Sequence, residues 1–111
     1  MQLVHEKTGK VIVVKPLEKR MDATIAVDFK TQMGALINEG QEFFVLDLSE
    51  VDFVDSSGLG AIVASLKMLE GKGDMVIAGA GERVMSLFKL TRMDRVFEVF
   101  PTSDDALARL A

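Results

Sequence analysis

The chain contains no cysteine, no tryptophan and no tyrosine, and its one histidine is His5. Without cysteine there are no disulfides, no thiolate metal ligands and no thiol redox switch. A lone histidine also leaves no His/Cys cluster for zinc. No apolar run reaches the roughly 18 residues that a membrane-spanning helix needs. The opening Met1-Gln2-Leu3-Val4-His5-Glu6 lacks the basic-then-apolar pattern of a secretory signal. A cytoplasmic protein without membrane insertion is therefore expected. A basic excess is missing too. Seventeen acids face thirteen Lys and Arg residues, for a net charge of −4. The bases are scattered among acids and form no phosphate-tracking stripe, which speaks against direct nucleic-acid binding.

What is present suits one compact domain spanning residues 1–111, with 49% hydrophobic residues for a core and 27% charged residues for a solvated surface. Leu3 to Lys7 and Val11 to Lys15 read as two strands of a hairpin turning at Thr8-Gly9-Lys10. Pro16 ends the second strand, and Leu17 to Met21 reads as a polar connection. Asp22 is a helix N-cap, followed by Ala26, Phe29, Met33, Leu36 and Ile37 at helical spacing, with Gly40 as the stop. Phe43 to Leu48 has the length and continuous apolarity of a strand covered on both faces.

A second helix is expected from the Asp55 region, with Leu59, Ile62, Val63, Leu66 and Leu69 inward and Gly71 and Gly73 closing it. Met75 to Ala78 is the next strand. Glu82 to Leu90 is a third helix, with Val84, Leu87 and Phe88 inward. Val96 to Phe100 is a short strand or extended piece, and Pro101 breaks it. A last helix capped by Thr102 or Ser103 carries Ala106, Leu107 and Leu110. Strands alternating with helices predict an α/β fold. Its sheet is mixed but mainly parallel, with four to five strands, an N-terminal hairpin and about four helices.

The richest chemistry lies in Asp55-Ser56-Ser57-Gly58-Leu59-Gly60, where a strand hands over to a helix. A helix start offers free N–H groups and partial positive charge, which suit an oxygen acceptor or a phosphate. Ser56 or Ser57 also fits the ordinary role of N-cap. Glycines at 58 and 60 weaken a first helical turn by up to about 1 kcal/mol each relative to alanine. They indicate a need for low bulk, either for an approaching partner or phosphate or for packing on the chain's own sheet. Asp55 can orient the serine hydroxyl or help hold a metal arriving with a phosphate. Asp22 and Asp52 add to an acidic cluster if the loops meet.

The stretch Val51-Asp52-Phe53-Val54-Asp55-Ser56-Ser57-Gly58-Leu59-Gly60 resembles the phosphorylation region of bacterial anti-sigma factor antagonists, which are STAS domains. The hairpin, the helix after Asp22, the Gly71-Lys72-Gly73 turn and the Arg83 to Phe88 helix extend the similarity along essentially the whole chain. The resemblance implies a STAS-like fold and a binding module, not an enzyme, with no cofactor. It implies that the unphosphorylated protein binds an anti-sigma factor that is also a serine kinase, and so frees a sigma factor. The kinase uses ATP to phosphorylate the antagonist, and a metal-dependent serine/threonine phosphatase restores it. By position the acceptor is Ser56, with Ser57 as second choice. The implied partner-binding set is Asp22, Asp55, Ser56, Ser57, Gly58, Leu59 and Gly60. The family's Gly-Glu-hydrophobic-Asp stretch is here Lys19-Arg20-Met21-Asp22, with bases in place of the glycine and the acid. That change keeps open an alternative, a STAS scaffold subunit of another signalling or lipid-transport assembly.

Other signals are weaker. Gly79-Ala80-Gly81-Glu82-Arg83 lacks the third glycine and the Lys-Ser ending of a nucleotide loop. A Ser56 hydrolase would need His5 beside it and a nucleophile-elbow pattern, which is absent. Met68, Met85 and Met93 are less clearly buried than the other methionines. Adaptable methionine surfaces suit protein partners, although core filling is commoner.

Overall fold

The structure is a computed structural model and describes residues 1–110. Strands β1 (Leu3–Thr8) and β2 (Val11–Pro16) form the expected antiparallel hairpin. Gly9 turns it with φ of +61°, a conformation that glycine adopts without steric cost. Strand β3 (Arg20–Met21) precedes helix α1 (Ala23–Asn38), and β4 (Phe43–Asp47) follows it. Next come β5 (Phe53–Val54), α2 (Ser56–Met68), β6 (Asp74–Ala78) and α3 (Glu82–Leu90). A 3-10 turn at Met93–Arg95, strand β7 (Val99–Phe100) and helix α4 (Ser103–Leu110) complete the described chain.

The main sheet has the order β1-β2-β4-β6-β7. Only its hairpin is antiparallel; β2–β4, β4–β6 and β6–β7 are parallel. This is the mixed, mainly parallel five-stranded sheet with four helices that the alternation of patterns predicts.

Strand alternation divides the core in two. Ile12, Val14, Phe44, Leu46, Met75 and Ile77 point to the face covered by α1, α2 and α3. Val11, Val45, Val76 and Ala78 point the other way, onto α4 through buried Ala106. The continuous apolarity of Phe43–Leu48 is explained by this double cover. On the first face, Phe29, Phe44, Phe88 and Phe97 are all fully buried, and the rings of Phe88 and Phe97 lie 6.1 Å apart.

The structure departs from the sequence reading in the connection Leu17 to Met21. Arg20–Met21 is a short strand, paired in parallel with Phe53–Val54, and Met21 is fully buried. A two-residue strand is too short to show any period, so the pattern read as a plain polar link. The caps fall as expected for α1, where the Asp22 carboxylate accepts from the Thr24 N–H at 3.0 Å. For α4, Thr102 is the cap, its hydroxyl accepting from the Asp105 N–H at 3.1 Å.

Truncating Phe88 removes the ring that joins α3 to Phe97. Phe88→Ala should lower the unfolding free energy by roughly 3–5 kcal/mol, read as a shift of the urea midpoint at unchanged slope.

Candidate functional site at the start of the second helix

The small parallel pair β3–β5 builds the site. Its register sets Met21 opposite Val54. The next residues, Asp22 and Asp55, therefore leave the pair side by side, and each caps a helix. Asp22 opens α1 and Asp55 opens α2, with the Asp55 carboxylate accepting from the Gly58 N–H at 2.9 Å. The Asp55 N–H itself donates to the Met21 carbonyl at 3.1 Å. Neither serine is the cap, contrary to the ordinary reading of a serine at a helix start. Asp55 takes the role because its extended backbone, φ −97° and ψ −175°, precedes the first helical residue.

Ser56 and Ser57 are thus the first two residues inside α2, and both are exposed. Their hydroxyls are spared from capping. The first turn of α2 carries no acidic residue. Its exposed N–H groups and dipole would favour an added negative charge there.

The two glycines separate cleanly. A Cβ on Gly58 would land on the carbonyl oxygen of Met21, so this glycine serves the close approach of α2 to β3. A Cβ on Gly60 would meet nothing within 4 Å. Gly58 is buried by the chain itself, whereas Gly60 keeps an exposed surface low. Leu59, between them, is buried against the core.

The acids do not gather into a metal site: among the described residues, no group of three or more His, Cys, Asp or Glu side chains is placed to hold one. Asp52 lies 3.9 Å from the Lys19 ammonium, and Asp22 lies 3.7 Å from the Arg20 guanidinium. Arg20 also stacks over the Phe53 ring at 4.3 Å. The two bases that depart from the resembled pattern are therefore tied to the β3–β5 pair. The Asp22 carboxyl is held below its ordinary value of 3.8, first by the Thr24 hydroxyl, then by the Thr24 N–H, with Arg20 adding to the shift. His5 sits exposed on the edge strand β1, away from the serines, and forms no triad with them.

Ser56 also marks one end of a groove of about 470 Å³ between α2 and α3, with an apolar floor that includes Leu59, Val63, Leu87 and Met93. Ser57 does not line it. The sequence reading assigned Val63 and Leu87 to inner faces, but both are only half-buried. The missed signal was the width of the apolar stripe on α2. Leu59, Ile62, Val63, Leu66 and Leu69 cover more of the helix than one core contact can use.

A model of the STAS domain matches residues 2–106. The chain belongs to the STAS domain family. It is 28% identical over 112 residues to the anti-sigma F factor antagonist of Paenibacillus polymyxa, covering 99% of this chain and 95% of that protein. It is 33% identical over 72 residues to a candidate anti-sigma factor antagonist of Thermotoga neapolitana, a match that spans 64% of either chain. An anti-sigma factor antagonist from Mycobacterium paratuberculosis superposes with a TM-score of 0.88 at 28% identity, over 97% of this chain and 92% of that one. SpoIIAA shares the fold at 17% identity in both its unphosphorylated and its phosphorylated form, with TM-scores of 0.83 and 0.76. These superpositions cover 98% and 99% of this STAS chain, and 96% and 100% of the SpoIIAA chains.

Two measurements test this geometry. Gly58→Ala should destabilise by about 1–3 kcal/mol through overpacking, whereas Gly60→Ala should be neutral or stabilising by up to about 1 kcal/mol. Equal shifts in thermal midpoint would contradict the assignment. Because the folded Asp22 carboxyl titrates below 3.8, its contribution is complete above that pH and fades as the pH falls through the lowered value. The midpoint gap between wild type and Asp22→Ala should accordingly be constant from neutrality down to about pH 5 and narrow in stronger acid.

Proposed function

We propose that this STAS domain, residues 1–111, is an anti-sigma factor antagonist acting in the cytoplasm. Unphosphorylated, it binds an anti-sigma factor that is also a serine kinase, and a sigma factor is released. Phosphorylation of Ser56 by that kinase switches it off, and a metal-dependent serine/threonine phosphatase resets it. The protein acts by binding and is itself a kinase substrate.

One observation carries the reading. Ser56 is exposed at the first position of α2 while Asp55 supplies the cap, so its hydroxyl can be modified without costing the helix its start. Ser57 shares the exposure but not the groove, which supports ranking Ser56 first. The antagonist relatives from Paenibacillus and Mycobacterium, matched over nearly the whole chain, support the role. That SpoIIAA exists in a phosphorylated form supports a phospho-switch on this fold.

The physics gives the switch its direction. A phosphate adds about −1.5 to −2 charge and three acceptor oxygens. At a helix N-terminus the dipole stabilises that charge, so the domain stays folded. The change falls on whatever docks over Ser56. A loss of about 1.4 kcal/mol there already weakens binding tenfold. Asp22, Asp55, Ser57, Gly58, Leu59 and Gly60 complete the proposed docking surface, with Gly60 admitting close approach.

The test uses a serine-kinase anti-sigma factor from the same genome, ATP and peptide mass mapping. One phosphate is expected on Ser56, retained in Ser57→Ala and lost in Ser56→Ala. Calorimetry should show Ser56→Asp binding that kinase at least about tenfold more weakly than wild type. An unmodified Ser56 and Ser57, together with equal affinities, would remove the proposal.

A further inference from the structure

The segment from residue 89 to 96, between α3 and β7, breaks two rules that the rest of the chain keeps. Leu90 is 83% exposed, more than any other large apolar side chain among the described residues, and Val96 is 51% exposed. A side chain as open as Leu90 has no walls around it, so it stands on a convex tip and not in a groove. Arg92, two residues on, has a φ of +60°. It follows Thr91, the cap of α3, at the position where a helix end favours glycine. The other positive-φ residues described are Gly9, Gly40, Gly71 and Gly79. Here alone the backbone accepts strain and carries an arginine where glycine would sit freely.

The segment holds together as one unit. The Arg92 N–H donates to the Lys89 carbonyl at 3.2 Å, the Arg95 N–H to the Arg92 carbonyl at 3.2 Å, and the Phe97 N–H to the Met93 carbonyl at 2.8 Å. The rings of Phe88 and Phe97 close its base. Lys89, Arg92 and Arg95 are exposed on it, against the single acid Asp94. Among the described residues, none of these three bases lies within 4.0 Å of an acid. The next acid along the chain, Glu98, is paired instead with Arg109 at 3.4 Å. The dipole at the end of α3 favours Lys89 in the last turn. It gives no reason for the open leucine or for the strained arginine.

We propose that this tip docks on the anionic surface of a lipid bilayer. Leu90 and Val96 enter the interface, and Lys89, Arg92 and Arg95 lie among the headgroups. The chain as a whole, at net charge −4, is repelled by such a surface. Screening over about 8 Å at physiological salt lets a local basic tip act against that repulsion, and it leaves one orientation for contact. No helix among the described residues is long and apolar enough to cross a membrane, and the contact asks only for side-chain tips. A fluid surface moulds itself to a convex apolar tip, whereas a protein partner would have to bring a matching cavity. A nucleic-acid strand would find no free ring to stack on here, because Phe88 and Phe97 are buried. The inference goes beyond the antagonist reading and involves neither the kinase nor Ser56.

The experiment is flotation of the full chain with vesicles of phosphatidylglycerol and phosphatidylcholine in equal parts, and with vesicles of phosphatidylcholine alone. The anionic vesicles should bind it at least about fivefold more tightly than the neutral ones, and raised salt should release it. Leu90→Ser and Arg92→Gly should each weaken binding about fivefold. Arg92→Gly should also hold or raise the thermal midpoint, because glycine relieves the φ strain as the base is lost. Its weaker binding is thereby separated from unfolding. Lys7→Gln removes a base from β1, at the opposite edge of the sheet from β7, and should leave binding unchanged. Equal binding to neutral vesicles, unchanged binding in Leu90→Ser, or equal losses in Lys7→Gln and Arg92→Gly would overturn the proposal. Binding to neither vesicle would overturn it too, and would leave the tip to a protein partner.

Discussion

The carbonyl oxygen of Met21 is the point on which the site depends. It accepts the Asp55 N–H, and it occupies the space where any side chain at position 58 would begin. One atom therefore registers the last residue of β3 against the first turn of α2. The β3–β5 pairing then makes Asp22 and Asp55 leave together, so α1 and α2 start as neighbours and pack along their lengths. Ser56 inherits its exposed position from this arrangement. The helix that carries it cannot rotate without driving residue 58 into backbone.

That rigidity bears on how a charge at Ser56 would be read. A helix start tied down by a carbonyl contact and a filled cap gives a phosphate little to rearrange inside the domain. The chain's response to modification is then electrostatic and outward-facing. Under the proposed switch, the STAS fold would serve as a stiff mount for the Ser56 hydroxyl, with the information in what the mount presents.

Much of this was legible in the residues. The continuous apolar run of β4, the stripe of α1 and the Gly9 turn each carry a pattern or a punctuation mark that survives in isolation. The Asp22 cap was legible for the same reason. The β3–β5 pair was not, because its two strands are two residues each and their pairing partner lies more than 30 positions away. The cap of α2 was misjudged between three adjacent capping-competent residues. Backbone geometry decides among Asp55, Ser56 and Ser57, and side-chain type does not. The groove was hidden by a rule that assigns every periodic apolar residue to the core. Val63 and Leu87 satisfy the period while keeping part of their surface in water. Gly58 and Gly60 look equivalent in the motif, and only the proximity of Met21 distinguishes them.

The hairpin's outer strand has a consequence of its own. β1 leaves one row of backbone donors and acceptors uncovered, which is the usual invitation to fibrous stacking. Its central residues are His5, Glu6 and Lys7, all exposed. When two copies meet edge to edge in antiparallel fashion about a two-fold axis, residues of the same face come opposite each other. Centring the pair on Glu6 sets carboxylate against carboxylate, and centring it on Lys7 sets ammonium against ammonium. At these two registers the lip of the sheet thus sets like charges of its own duplicate against each other.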